Sequence, residues 1–286
     1  VAPPAPPRDP TRRGTGEMVE LYITSALFGA FTGAYIPTVA TDDGVSGTTY
    51  ALTMIGGAGL MAVGVLTLDL AAPLRTGVAP TVSESIRLGL ANGLLVWGIG
   101  GAAGEVDGDA GFSLAWGGAA LGLATGVAVG FGLEPSVRDA RFVESVSLWG
   151  GVLGTAAALI SEYSEPVLGV ALTLVGLDAG LLAALATVAA DTHPSTARTL
   201  LLDLGFLAGT GAGALVPSLY YFTQRTAPEP VAVGVGMAIG AVGGWLLSYL
   251  LTDGMDDAEA EADESAPQVG LSPVQDGLVV GVHGAL

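Results

Sequence analysis

The chain has no cysteine and no lysine, and it is poor in charge of either sign. Without cysteine there is no disulfide, no thiolate metal site and no thiol nucleophile, so the redox compartment stays undecided. Without lysine every cation is an arginine. No basic stripe exists to follow a phosphate backbone, which argues against nucleic acid as a partner. Charged residues make up 13% of the 286 positions, about half of the roughly 25% usual in globular chains. The chemical motifs are missing as well: there is no Walker-type loop, no nucleophile elbow and no H-E-x-x-H. The many GxG matches follow no strand and precede no acidic partner, so they are weak nucleotide signals. His193 and His283 stand far apart in non-helical segments and do not make a zinc site between them. No metal, cofactor or catalytic residue is expected.

What remains is apolar. Hydrophobic residues reach 51% and the mean hydropathy is +0.63. The formal net charge of −18 owes much to one acidic run, DGMDDAEAEADE (253–264), which reads as solvated. Between the two charged ends, eight apolar segments approximate helices at 18–40, 48–70, 82–103, 111–132, 139–161, 167–190, 196–221 and 230–252. Each is about 20 to 26 residues long, enough to cross a hydrocarbon core at about 1.5 Å per residue. Turn chemistry separates them, as at Thr41-Asp42-Asp43-Gly44, Asp107-Gly108-Asp109, Glu134-Pro135, Glu165-Pro166 and His193-Pro194-Ser195.

The glycines keep a register. Pairs four apart recur at Gly29/Gly33, Gly89/Gly93, Gly150/Gly154 and Gly205/Gly209. A second series runs between them at Gly118/Gly122, Gly176/Gly180 and Gly236/Gly240, continued by Gly244. Glycine weakens a helix in water by about 1 kcal/mol relative to alanine. In lipid it lets helix axes approach closely. The fold class expected is therefore an all-α integral membrane protein with eight helices in four two-helix repeats (18–70, 82–132, 139–190, 196–252), packed through glycine zippers. A Pro/Arg-rich leader (1–17) precedes the bundle, and an acidic tail with a short β-like end (253–286) follows it. An outer-membrane β-barrel is the alternative. The last ten residues favour it, and the absence of polar-in alternation weighs against it.

Arginine placement tests the topology. Arg8, Arg12, Arg13, Arg75, Arg87, Arg138, Arg141 and Arg198 sort to one side, and Arg225 alone to the other. In an inner membrane the positive-inside rule puts both termini in the cytoplasm. The chain begins at Val1 with a proline-rich leader, so an upstream segment such as a secretory signal is expected to have been removed. That expectation conflicts with a cytoplasmic N-terminus.

The phrases GTGEMVELYITSALFGAFTGAYI (14–36), SLWGGVLGTAAALI (147–160) and SPVQDGLVVGVHGAL (272–286) resemble glycine-rich, multi-helix envelope proteins of myxobacterial type. The resemblance implies a bacterial envelope location. It implies no activity and carries over no site residue.

Two carboxylates stand out, Asp178 in the middle of the sixth segment and Asp203 about two turns into the seventh. An aspartate at mid-bilayer costs on the order of 2.5–3.5 kcal/mol, so it usually faces the bundle or water. In the glycine register Asp203 falls with Leu27, Arg87 and Leu148, and Asp178 with Ala120 and Ala238, so neither belongs to the repeat. They read either as a proton or cation relay on adjacent helices or as carboxyls held inside the bundle, with Arg198 a partner for Asp203. Asn92 suits an interhelical hydrogen bond. Glu84 and Arg87 suit a pair along one helix, and Glu144 and Ser147 share an early turn near the interface. Trp97, Trp116, Trp149 and Trp245 suit either interface belts or packing against glycine.

Three functional classes follow. The first is a non-enzymatic structural or scaffold protein of an envelope membrane. The second is a channel or transporter with Asp178, Asp203, Asn92 and Arg198 along its pathway. A membrane enzyme has no supporting constellation. The lipid bilayer is the expected partner, with a homo-oligomer or another envelope protein beside it.

Overall fold

The computed structural model describes residues 14–40, 45–71, 74–161, 165–227, 229–256, 268–274 and 277–283. Residues 1–13 of the leader, the Thr41–Gly44 turn and most of the acidic run lie outside the described residues. Eight helices follow one another: α1 Thr15–Ala40, α2 Gly47–Ala71, α3 Val78–Ala102, α4 Gly108–Gly132, α5 Val137–Ile160, α6 Pro166–Ala189, α7 Thr196–Thr223 and α8 Pro230–Leu251. Two short strands, β1 Gln268–Val274 and β2 Gly277–His283, pair antiparallel with Gly270 opposite Gly281. The β-like end thus pairs within itself. A helical body excludes the β-barrel, because continuous apolar runs close their backbone hydrogen bonds within each segment and need no neighbouring strand.

Helix boundaries follow the expected chemistry. Ser136 caps α5 in a reciprocal capping box with Asp139, and Ser195 caps α7 by accepting from the Arg198 amide. Pro166 and Pro230 open α6 and α8, where a missing N–H costs nothing. The structure starts α3 one turn earlier than the expected boundary, because Pro80 falls in its first turn. Gly77, just before it, holds φ 85°, and an added Cβ would collide with the Pro135 carbonyl. Only glycine fits there.

Seven of the helices are long and apolar enough to cross a membrane. The eighth, α3, is as long but carries Glu84, Arg87 and Asn92. Beside a small apolar core that includes Leu202, Val78 and Phe206, the burial pattern departs from that of a water-soluble protein. The largest fully buried side chains include Ser25, Ser83 and Ser147, while Ile55, Leu60, Leu121 and Leu182 are each about 70% exposed. Many small and polar groups face inward and most long aliphatic ones face out, as a hydrocarbon solvent allows. The protein is an integral membrane protein.

The pairs α1–α2, α3–α4, α5–α6 and α7–α8 each form an antiparallel hairpin. At the crossing Gly29 meets Gly57, Gly89 meets Gly118, Gly150 meets Gly176 and Gly209 meets Gly240. A Cβ added at any of these falls within 3.0 Å of a backbone atom of the partner helix. The contact is backbone on backbone. Gly57 and Gly213, which the paired-glycine series leaves out, belong to this set.

The second glycine of each pair in the first three hairpins extends the close contact by one turn. It lies against the partner's central glycine and also faces the carbonyl one turn beyond it. Gly33 meets the Thr53 carbonyl, Gly93 that of Leu114 and Gly154 that of Leu172; from the even helices, Gly122 meets the Ser85 carbonyl and Gly180 that of Val146. A Cβ added at any of these five would stand 2.0–2.4 Å from the oxygen it faces. They are packing positions, but each is matched to ordinary backbone one turn from the central crossing. The physical reason is that the missing Cβ of one helix is enough to admit the other helix's carbonyl. The small residues let the two axes approach closely over more than one turn.

The contacts also correct the register of the fourth unit by about one turn. Gly205 meets Gly244 and Ser248, and Gly236 meets Gly213. The counterpart of Gly150 is therefore Gly209. The caps agree: Ser136 precedes Gly150 by the same interval as Ser195 precedes Gly209, and Glu165 precedes Gly176 as Glu229 precedes Gly240. In this register Asp203 takes the place of Glu144, not of Leu148, and Asp178 that of Val242, not of Ala238.

The hairpins stack in one direction. The odd helices form a row, α1 on α3, α3 on α5, α5 on α7. Each later even helix also rests on the preceding odd one: α4 on α1, α6 on α3, α8 on α5. Four parallel hairpins put the N-termini of all odd helices, and the end of α8, at one membrane face.

Gly150→Ala is expected to lower the thermal unfolding midpoint in detergent, an overpacking cost of about 1–3 kcal/mol. Gly117→Ala, with open space around it, should leave the midpoint where it is.

Candidate functional site

The polar residues of the bundle gather at the face where the odd helices begin. Glu20 comes from the second turn of α1, Glu84 and Arg87 from α3, and Arg141 and Glu144 from α5. The Arg87 guanidinium donates from Nε to Glu144 Oε1 at 2.6 Å and from Nη2 to Glu144 Oε2 at 3.0 Å. The same Nη2 donates to Glu20 Oε1 at 2.8 Å. Arg141 donates to both Glu20 oxygens, with Nη1 3.2 Å from Oε1. It also stands 3.5 Å from Glu84 and 3.8 Å from Glu144. Two planar forks thus tie three helices together, a geometry that arginine provides and lysine does not.

Glu84 is the buried member, 3% exposed, and its Oε1 receives no hydrogen bond. Arg87 therefore does not pair along its own helix with Glu84. It reaches sideways, because neighbouring helices offer it two better-aligned carboxylates. The cluster holds three carboxyls against two guanidiniums.

Asp203 extends the same layer to α7. Its carboxylate accepts from Ser145 Oγ and Trp149 Nε1, both at 2.8 Å and both on α5. Glu144, Trp149 and Asp203 line a crevice of about 220 Å³ between the two helices. The expected partner Arg198 is engaged elsewhere. It pairs with Asp256, donates to Thr252 Oγ1 at 3.3 Å, and lies 4.4 Å from the centre of the Tyr249 ring. The reason is position: Arg198 sits at the mouth of the α7–α8 hairpin, and Asp203 points toward α5.

Asp178 and Asp203 are not brought together. Asp178 is exposed on α6, which packs on α5 and α3, whereas α7 packs on α8 and α5. Asn92 donates to Leu88 O of its own helix at 3.1 Å, not across to a neighbour. Ser147 likewise donates to Val143 O within α5. The tryptophans pack inside the bundle. Trp116 stacks on Tyr35 at 4.8 Å and donates to Thr32, and Trp149 lies between Phe206 and Trp245. Trp97 covers Gly111.

His193 has a structural place. It is 5% exposed, its Nε2 lies 2.8 Å from Asp139 Oδ1, and its ring stacks on Phe142. Arg138 donates to the His193 and Pro194 carbonyls. Together these fasten the α6–α7 connection onto the start of α5. Among the described residues no group of three or more His, Asp or Glu is placed to hold a metal.

Asp256 closes the far end of the row. It accepts from the Ser195 amide at 2.7 Å and pairs with Arg198. Burial pushes its carboxyl upward, but the Ser195 amide and the Arg198 guanidinium outweigh that and hold it below the usual carboxylate range. Glu20 and Asp256 were invisible as partners in the chain, since each lies tens of residues from the arginines it meets. The one available signal was that acids and arginines recur in the first turns of successive odd helices.

Comparison of the chain with protein-family models, with curated proteins and with solved structures finds no match.

Removing Arg87 leaves Glu20 and Glu144 without their shared donor. Arg87→Met is expected to cost about 1–3 kcal/mol in detergent unfolding, and Arg87→Met/Glu144→Met to recover part of it. The Asp256 contact has a defined pH sense. Its folded value lies below the ordinary value of about 3.9, so it contributes stability at neutral pH that is lost as pH falls through the folded value. Asp256→Asn should lower the unfolding midpoint at pH 7 and reduce the acid loss below about pH 4.

Proposed function

We propose that the protein is a non-enzymatic structural element of a bacterial envelope membrane, a rigid helical body that occupies and organises the bilayer. The observation that carries this reading is the backbone contact between glycines in all four hairpins, a packing that leaves little room for one helix to move against its partner. The polar groups support it. They form ties between neighbouring helices at one face, and Asp178 and Asp203 do not line a common path. The resemblance of 14–36, 147–160 and 272–286 to myxobacterial-type envelope proteins supports the location. Among the described arginines, Arg75, Arg87, Arg138, Arg141 and Arg198 gather at the face where odd helices begin. By the positive-inside rule that face is cytoplasmic in an inner membrane.

A channel or transporter is the second reading, and the crevice between Glu144 and Asp203 is what favours it. The two separate in reconstituted vesicles. For a scaffold, the protein adds no proton or cation flux, and Asp178→Asn and Asp203→Asn leave abundance and folding near those of the parent. A flux that Asp203→Asn abolishes would overturn the structural reading.

A further inference from the structure

The three contacts between successive hairpins use one register. In α4, α6 and α8 the residue six places before the central glycine is Phe112, Val170 and Gly234 respectively. Phe112 packs on Tyr35 of α1, ring centres 5.7 Å apart. A Cβ on Gly98 of α3 would stand 3.0 Å from Val170. A Cβ on Gly234 would stand 2.7 Å from the Ala156 carbonyl of α5 and 2.8 Å from Leu159. Tyr35 and Ala156 both lie six places after their own central glycine, and Gly98 and Leu159 both nine places after. The even helix of each hairpin therefore settles on the preceding odd helix at one repeated position. Just after the central glycine, Ala119, Leu177 and Ala241 are buried to 4% exposure or less.

Among the described residues the row is open at both ends. The first hairpin has no preceding odd helix. Ala51, the counterpart of Phe112, Val170 and Gly234, is exposed, and Ala58, the counterpart of Ala119, is only half-buried. None of the spanning window of α2 is buried, alone among the seven apolar spans. Cβ atoms added at Gly56 and Gly59 would meet nothing within 4 Å. At the other end α7 lacks a following hairpin. Leu215, the counterpart of Tyr35 and Ala156, is 57% exposed, Leu219 is 58% exposed, and Gly211 opens onto empty space.

We propose that these two ends dock on one another between copies, α2 of one molecule settling on α7 of the next as α8 settles on α5. The occupant is a second copy of this chain because the free faces are the two halves of an interface the chain already makes three times. The contact is heterologous, so successive copies form a ring or a continuing row within the membrane. It deepens the scaffold reading by naming the partner.

The parent has no cysteine, so introduced thiols report alone. In native membranes, Ala51→Cys/Leu215→Cys should give an oxidative ladder of dimers, trimers and larger species. Mixing singly substituted Ala51→Cys and Leu215→Cys chains should stop at dimers. Each single variant alone should stay monomeric, as should the lipid-facing control Leu121→Cys/Leu182→Cys. A crosslinked fraction no greater than the control would overturn the proposal. So would self-crosslinking of Ala51→Cys, which marks a symmetric contact instead. A ladder accompanied by ion flux keeps the assembly and removes the scaffold reading; no ladder and no flux does the reverse.

Discussion

Hydrocarbon offers a backbone no hydrogen-bond partner, and most of this molecule follows from that. Every segment must close its N–H and C=O groups internally, so the apolar runs become helices. Helices bathed in lipid gain nothing from burying leucine, which is as comfortable outside as inside. They gain from close contact, and the closest contact available is backbone against backbone. The glycines facing each other at the middle of each hairpin supply it. The large aliphatic side chains, displaced from the crossings, turn outward.

Close contact alone does not fix which hairpin sits beside which. The polar layer does part of that. Arg87 and Arg141 are each held by carboxylates on other helices, and Asp203 by donors on α5. An arginine fork in a region of low dielectric is costly to leave unpaired, so these ties penalise any other arrangement of the odd helices. The aromatic contacts of Trp116 and Trp149 add shape on the same seams. Asp256 and Arg198 then fasten the end of α8 to the start of α7, so the last hairpin is closed by a pair drawn from its two extremes.

The helices were legible to within about one turn, because length, hydropathy and cap chemistry are local properties that lipid reinforces. The glycine crossings were legible in the second and third hairpins, lacked Gly57 in the first and were shifted by a turn in the fourth. There Gly205, Gly209 and Gly213 on one helix, and Gly236, Gly240 and Gly244 on the other, offer several equally spaced choices. A run of glycines specifies a stripe and not a point along it. For the same reason the pairing could not show that Gly33, Gly93 and Gly154 also face the carbonyls of Thr53, Leu114 and Leu172. The caps Ser195 and Glu229 carried the missing information for the fourth hairpin, since they fix where each stripe begins.

The amino-acid sequence by itself determined that this is a bundle of eight helices in hairpins, seven of them apolar enough to cross a membrane, with its arginines skewed to one face. Those are consequences of composition and period, which no neighbour can alter in hydrocarbon. Only the tertiary structure decided the partners of the charged residues. Arg87 passes over Glu84 for Glu20 and Glu144, Arg198 passes over Asp203 for Asp256, and Asp178 is turned away from Asp203. The reason is directional. A side chain's partner depends on the rotation of its helix about its own axis and on which helix stands beside it, and both are set by contacts between segments far apart in the chain.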